Sequence, residues 1–529
     1  YTVKDTLSLH DALPIWDVQV AEPLIDEHQF EYGLDAIAKR YGVPGKDEEA
    51  LKHAAEAYKV NPKKELWKLP ASMVATYAIQ DVRLPLELIR RQERIIDEQE
   101  LWDIYNLESK LLPILLKMRR RGVRIDVPRL DEIEKWSVEE EREACRRIYH
   151  ESNVKIQVDE INQDELVLRA LNACGIEITK ATKKGKVSLA ADVLDGIEHP
   201  VTDAILRARK FNKLRGTFVN SIRSHMVDGR VHCTFNQLRT VKDEEKGDTK
   251  GTVSGRLSCT DPNLQQQPSR DPEIAPRWRG IYIPEDGEQW ACLDYSQQEP
   301  RWAVHFGEIC GLPKAGVMGD RYRNDPNTDN HTMIAQIIAG EGVDWVPPKD
   351  KRSQGKIIFL GLCYSMGGAK LCDDLGFDTS WTKLRNGRWI RIAGKEGQAV
   401  IDQFDKAVPF VRMLAKRVER AAQERGYIRT ILGRRCRFLL DDDGKNRLDT
   451  RKALNRLIQG SSADQAKKAM IDADEAGFEF TLQVHDELDA SVPSREHAEA
   501  MAEVMRNAVP MTVPAKVDVE LGPNWGEVK

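Results

Sequence analysis

The chain has 529 residues, 41% of them hydrophobic and 31% charged, with 80 Lys and Arg against 85 Asp and Glu for a formal charge of −5. At roughly one domain per 100–200 residues, that length holds several globular domains with sizeable cores. The acidic balance excludes a wholly basic nucleic-acid coat but not a local cationic track, and the longest apolar runs, such as 357–364, are too short to cross a bilayer.

Residues 1–15 (YTVKDTLSLHDALPI) match nothing that follows and have neither the basic nor the apolar region of a targeting peptide. They are read as a non-native leader, and the chain as a fragment truncated at its N-terminus. From 16 to 96 the pattern is helical, with polar breaks at 42–47 and 61–64. A long amphipathic stretch, 97–121, ends in MRRRG, where cations precede Gly122 as they do at helix C-termini. Residues 127–155 read as another long, charged helix. Residues 156–225 are mixed, with a basic loop at 183–186 and a basic helix at 207–215. A solvated helix face explains such charge runs as well as a phosphate track does. From 231 onward, strand-like segments alternate with helices. IYIP (281–284), WACLDYS (290–296) and FEFTLQVHDELDASV (478–492) read as strands of one sheet, split by a largely helical block at 300–425. There is no internal repeat. The nine cysteines form no CxxC pair, the pattern of a reduced cytosolic protein without zinc or disulfides, so a cytoplasmic location is expected.

Two carboxylates stand out. Asp294 ends the apolar segment LDYSQQE, and Asp486 lies at a possible hairpin turn in QVHDELDASV. A lone strand-end Asp most often caps a turn. Two such groups on neighbouring strands can instead bridge two magnesium ions about 4 Å apart and support an in-line phosphoryl transfer. Between them, KRSQGKIIFLGLCY places Arg352, Lys356, Leu360 and Tyr364 at steps of four, close to one helix face. Cations there suit phosphates and the ring suits a base; a core helix with two snorkelling cations is the plainer alternative.

Taken together these segments resemble the family A DNA polymerases, the DNA polymerase I type that many phages also encode. DYSQQE (294–299) is similar to the first palm motif, RSQGKIIFLGLCY (352–364) to the fingers helix, and QVHDE (483–487) to the second palm motif. TVSGRLSCTDPNLQQQP (252–268) resembles the primer–template segment, DNH (329–331) the fingers histidine motif, and RKALNRLIQGSSAD (451–464) the helix beside the active site. The likeness runs from 16 to 529 with the motifs in family order.

The resemblance implies an α+β right-hand fold of palm, fingers and thumb, preceded by a partial ribonuclease H-like 3′–5′ exonuclease domain. It implies boundaries of 16–99 for that partial domain, 100–225 for the thumb, 226–310 and 430–529 for the palm, and 311–429 for the fingers. It implies that Asp294 and Asp486, with the Tyr295 carbonyl, hold two magnesium ions. Arg352, Lys356 and His331 would grip the triphosphate, with Lys356 the general acid for pyrophosphate. Leu360, Tyr364 and Gln297 would line the nucleotide pocket, with Glu299 beneath the incoming sugar. Arg256 and Gln459 would read the primer terminus from the minor groove, where every Watson–Crick pair offers acceptors. Asn263, Gln266, Arg451, Asn455 and His485 would support that surface, and the basic runs at 183–186 and 207–215 would track phosphates on the thumb. The implied partners are primer–template DNA and deoxynucleoside triphosphates, for a monomer without membrane contact, in the host cytoplasm if phage-encoded.

Two positions depart from the family: Leu360 stands where Phe or Tyr is usual, and Ser365 where Gly is usual. In the N-terminal part, Asp17 resembles the second exonuclease motif, and Tyr77 and Asp81 the third. No Asp-x-Glu precedes Asp17, so a structural role without activity is expected for this remnant. A single-subunit RNA polymerase shares the palm and the fingers lysine, but Glu299 would crowd a 2′-hydroxyl. A nuclease or an inactive DNA clamp does not need Asp294, Asp486 and Lys356 together.

Overall fold

Gln289–Tyr295 alternates little and is buried almost throughout, as a strand covered on both faces must be. In the computed structural model, which describes residues 16–45, 49–62, 64–182, 185–243 and 248–528, it is an inner strand of a four-stranded antiparallel sheet. The spatial order is Leu482–Val484, Glu487–Val492, Gln289–Tyr295, Val517–Gly522. The leader 1–15 and Lys183 and Lys184 of the basic loop lie outside the described residues. Helices Ala453–Glu475 and Arg495–Asn507 pack together, and the second also packs on the sheet. Trp290 stacks on Trp525, and Tyr282 meets Trp525 edge-on, in the core beneath it.

The sheet differs from its sequence reading in three places. IYIP is not one of its strands: Tyr282–Ile283 pairs with Val123–Ile125 in a separate four-stranded sheet. The FEF part of 478–492 is not strand either. Helix Ala453–Glu475 ends at Gly477, whose φ of 86° turns the chain back so that the Phe478 amide bonds the Ala473 carbonyl. Val517–Gly522 was not foreseen as the fourth strand.

The helical block after the first inner strand has its own core, built on Trp302, Tyr322, Phe359, Phe404 and Phe410. Its helices Asn330–Ala339 and Lys349–Cys363 meet closely at Gly355. A Cβ there would lie 2.2 Å from the His331 carbonyl oxygen, so only glycine allows this approach.

Among the described residues, 16–99 contain helices and no strand. The expected stretch 97–121 is interrupted at 99–101, where Glu100 takes a φ of 53°, before helix Trp102–Arg121 ends at Gly122 as expected. Val127–Ser152 and Pro200–Lys213 pack against each other. The basic helix 207–215 is not a free cationic face. Arg207 bonds Glu140 and Glu273, Lys210 bonds Asp271 and Glu273, and Arg215 bonds Glu141 and Asp159. Acids distant in sequence pair with these three cations, while exposed Lys213 has no ion pair among the described residues.

Candidate active site

The register of the sheet assembles the acidic centre. Asp294 stands opposite Glu487 on one side and Asp518 on the other. Asp486 lies in the two-residue turn between Val484 and Glu487, made possible by His485 in the left-handed region at φ 61°. The Tyr295 amide donates to the Asp486 carbonyl at 3.3 Å, which fixes the turn against the strand end. The Tyr295 side chain points away, its hydroxyl donating to the Met505 carbonyl at 2.5 Å. Burial, and then the charges of Asp486, Glu487, Asp518 and Glu520, push the Asp294 carboxyl up to about 8. A centre made only of carboxylate and carbonyl oxygens fits a hard divalent cation such as magnesium. One step deeper, ligand atoms of Cys292, Glu487 and Asp489 lie within 4.8 Å of one another. Sequence reasoning missed Glu487, Asp489 and Asp518, and only their alternation with apolar residues marked them.

On helix Lys349–Cys363 the four foreseen residues share a face. Arg352 and Lys356 are exposed, and Leu360 is half-buried, as is Tyr364 just past the helix end. Arg352 pairs with Asp329 at 2.5 Å, and Asp329 caps the helix that begins at Asn330. Lys356 has no ion pair among the described residues. His331 is buried, and its Nδ1 has no hydrogen-bond partner among the described residues. Burial, opposed by Asp329 and reinforced by Lys356 and Arg352, holds its imidazole down at about 4, so it is neutral at pH 7. Ser365 adopts a φ of 57°, the left-handed conformation in which Gly is unstrained.

Glu299 joins the two halves. One oxygen accepts from Arg256 Nη2 at 2.8 Å and the other from the Tyr364 hydroxyl. Burial and Glu299 keep the Tyr364 phenol far above its ordinary range, so it stays a donor. Gln297 accepts from the Asn330 amide at 2.7 Å, tying the strand end to the histidine-bearing helix. His485 is held below its usual value by burial and by nearby Arg256. Exposed Asn263 and Gln266 flank Gln265, which bonds buried Gln483 at 2.7 Å beside the Asp486 hairpin. Arg451 is exposed, and Asn455 and Gln459 are half-buried one and two turns further on. At Gly460 a Cβ would lie 3.5 Å from the Ser254 carbonyl, so this turn sits against the 252–256 segment.

Beneath that segment lies a buried ionic network that the sequence did not suggest. Glu108, Arg434, Asp464 and Lys467 are all buried. Arg434 bonds both acids, and Lys467 Nζ lies 2.5 Å from Glu108. Thr430 donates to Asp464 at 2.5 Å. In the N-terminal part, Asp17 caps helix Val18–Ile25 by accepting from the Gln19 and Val20 amides at 2.7 and 3.3 Å. Tyr77 and Asp81 are half-buried on helix Ala71–Glu98, which packs on that capped helix.

A mixed fold with carboxylates gathered at one sheet end, and a helix carrying Arg352 and Lys356, defines the class, and comparison with known proteins agrees. The family model for DNA polymerase family A matches residues 129–527. The DNA-directed DNA polymerase of Pseudomonas phage M6 is 49% identical over 96% of this chain and 79% of its own length. DNA polymerase DpoZ of Salmonella phage PMBT28 is 30% identical over 96% of this chain and 84% of its own. The polymerase domain of Pol1 from M. smegmatis, solved in complex with DNA primer–template and dNTP, superimposes with a TM-score of 0.75 at 26% identity. It covers 96% of this chain and 82% of the solved one. The chain belongs to DNA polymerase family A and is a DNA-directed DNA polymerase of the phage type. Among the described residues no helix is long and apolar enough to cross a membrane.

Proposed function

We propose that this chain extends a DNA primer at its 3′ end by template-directed phosphoryl transfer, with Asp294 and Asp486 holding two magnesium ions. The observation that carries this reading is their meeting at one sheet end, tied through Glu299 and Tyr364 to the face bearing Lys356 and Arg352. When bound, the ions stabilise the attacking and leaving oxygens of the in-line displacement. The Tyr295 carbonyl supplies a further oxygen. Arg352 exchanges Asp329 for the triphosphate, and neutral His331 adds a hydrogen bond. Lys356, charged and free of an ion pair among the described residues, hands a proton to pyrophosphate. Arg256, Asn263, Gln266, Arg451, Asn455, Gln459 and His485 line the primer–template side. The units follow as 16–99 partial exonuclease, 100–225 thumb, 226–310 and 430–529 palm, and 311–429 fingers. Free cysteines throughout the described residues suit the reducing host cytoplasm, where we infer that the chain acts as a monomer. Primer extension with deoxy- and ribonucleotides tests the reading. Selective use of deoxynucleotides supports it, and equal use contradicts it.

Glu299 sets that selectivity, because both of its oxygens are anchored and it cannot swing away from a 2′-hydroxyl. Glu299→Ala is expected to raise ribonucleotide relative to deoxynucleotide incorporation. Both rates should fall, since Arg256 and Tyr364 lose their acceptor, so the ratio of catalytic efficiencies is the readout. An unchanged ratio removes Glu299 from this role.

Leu360 lies one turn after Lys356 and one before Tyr364, which would set it beside sugar and base rather than the terminal phosphates. Leu has no hydroxyl to replace what a missing 3′-hydroxyl would have bonded, a deficit of roughly 0.5–1.5 kcal/mol for one neutral bond. The enzyme should therefore select against dideoxynucleotides, and Leu360→Tyr should relax the selection by about two- to twelvefold. Single-turnover insertion by both forms checks this, and equal discrimination makes Leu360 a packing residue only.

The Asp17 carboxylate is engaged as a helix cap, accepting from the Gln19 and Val20 amides. The chain is expected not to degrade a mismatched primer end in magnesium without nucleotides. Loss of the terminal nucleotide in that assay would contradict it.

A further inference from the structure

A β-hairpin stands out from the helical block shortly after Tyr364. Thr379–Lys383 pairs with Trp389–Ala393, with Trp381 opposite Arg391 and Lys383 opposite Trp389. Residues opposite each other, and residues two apart, share a face. Trp381, Arg391, Lys383 and Trp389 therefore alternate ring and cation across one face. Both tryptophans are exposed to solvent, at 63% and 58%, a large cost for a soluble protein unless something covers them. The loop between the strands adds Arg385 and Arg388, and 379–393 contain no Asp or Glu. Arg391 is paired with Asp373, but Lys383, Arg385 and Arg388 have no ion pair among the described residues.

The hairpin is firmly seated. Its last residue, Ala393, lies against Gly368, where a Cβ would meet the Ala393 Cβ at 3.0 Å. Helix Gly368–Leu375 packs in turn on helix Lys349–Cys363, which carries Lys356 and Leu360 and leads into Tyr364. The exposed face is thus connected through packed helices to the helix that carries Lys356 and Leu360.

Rings interleaved with unpaired cations fit a strand whose bases are free to stack and whose phosphates need neutralising. Duplex DNA hides its base faces, and an acidic protein surface would leave the rings unused. We propose that this face binds the unpaired template strand ahead of the active site, Trp381 and Trp389 stacking on bases while Lys383, Arg385 and Arg388 contact phosphates. The proposal rests on the template-directed reading above and adds a contact beyond it.

The test compares primer–templates carrying one unpaired template nucleotide with those carrying a long single-stranded overhang, in the full chain. Wild type is expected to bind the long overhang more tightly, with a gain that shrinks as salt rises. Trp381→Ala with Trp389→Ala should remove roughly thirtyfold or more of that gain, the product for losing two stacked bases. Affinity for the short substrate and single-nucleotide insertion on it should not change. Trp381→Phe with Trp389→Phe should keep most of the gain, and Arg385→Glu with Arg388→Glu should flatten its salt dependence. An equal overhang gain in wild type and the alanine variant overturns the proposal and points to a protein partner instead. Equal loss on both substrates also overturns it, since that marks general disruption. Failure of wild type to extend any primer would indict the polymerase reading rather than the hairpin.

Discussion

Asp294→Asn and Asp486→Asn are each expected to lower primer extension at least about a thousandfold while leaving primer–template binding largely intact. On the proposed reading, each substitution would remove one unit of metal-bound charge from the centre where the phosphoryl group is transferred. Metal stabilisation there is worth several kcal/mol, and each 1.36 kcal/mol is about tenfold in rate. DNA affinity comes mainly from phosphate contacts elsewhere, so it should change little. Asn keeps the shape and one carbonyl oxygen, so the fold should survive. For Asp294 the substitution also removes a carboxyl that four neighbouring acids disfavour as an anion. The metal-free protein should therefore be no less stable than wild type, and a lost activity cannot be blamed on unfolding. Near wild-type extension by either variant would mean that these two groups do not hold the ions.

Glu108→Ala is the second large effect, and it falls on stability. Glu108 sits on helix Trp102–Arg121 and accepts from Arg434 and Lys467, with all three buried. Burial alone would raise its carboxyl, but Lys467 and Arg434 outweigh that and hold it at about 2. Truncation strands buried Lys467 and leaves Arg434 with Asp464 alone, at a cost of about 3–5 kcal/mol. Glu108→Met combined with Lys467→Met removes charge on both sides and should recover part of that loss. Because the folded-state value is depressed, the stabilisation is fully present above the ordinary carboxylate range. It is lost as pH falls toward about 2. Chemical denaturation at neutral pH checks the magnitude. A loss below about 1 kcal/mol would make the network dispensable.

What could be read from the sequence was whatever is encoded locally. Asp294 and Asp486 were legible because each ends a short apolar segment, and Arg352, Lys356, Leu360 and Tyr364 because helical spacing alone puts them on one face. Gly122 and the helix it ends were legible from the preceding cations. Long-range pairing was not legible. The cations of 207–215 looked free because Glu140, Glu141 and Glu273 lie far away in sequence. Glu108 looked like an ordinary acid on an amphipathic helix, since Lys467 is brought to it only by tertiary packing. Val517–Gly522 escaped because its alternation of apolar and acidic residues suits an exposed edge as well as a strand completing an acidic centre. Glu299 was singled out by resemblance, but its two anchors, Arg256 and Tyr364, came only from the fold.

The most direct measurement is single-nucleotide insertion with magnesium on four primer–templates that differ only in the templating base, with wild type and Asp294→Asn side by side. Wild type should insert the complementary deoxynucleotide on each template, and the variant should insert none at a comparable rate. Insertion of the same nucleotide whatever the template, or insertion undiminished in Asp294→Asn, would contradict a template-directed reaction centred on Asp294 and Asp486.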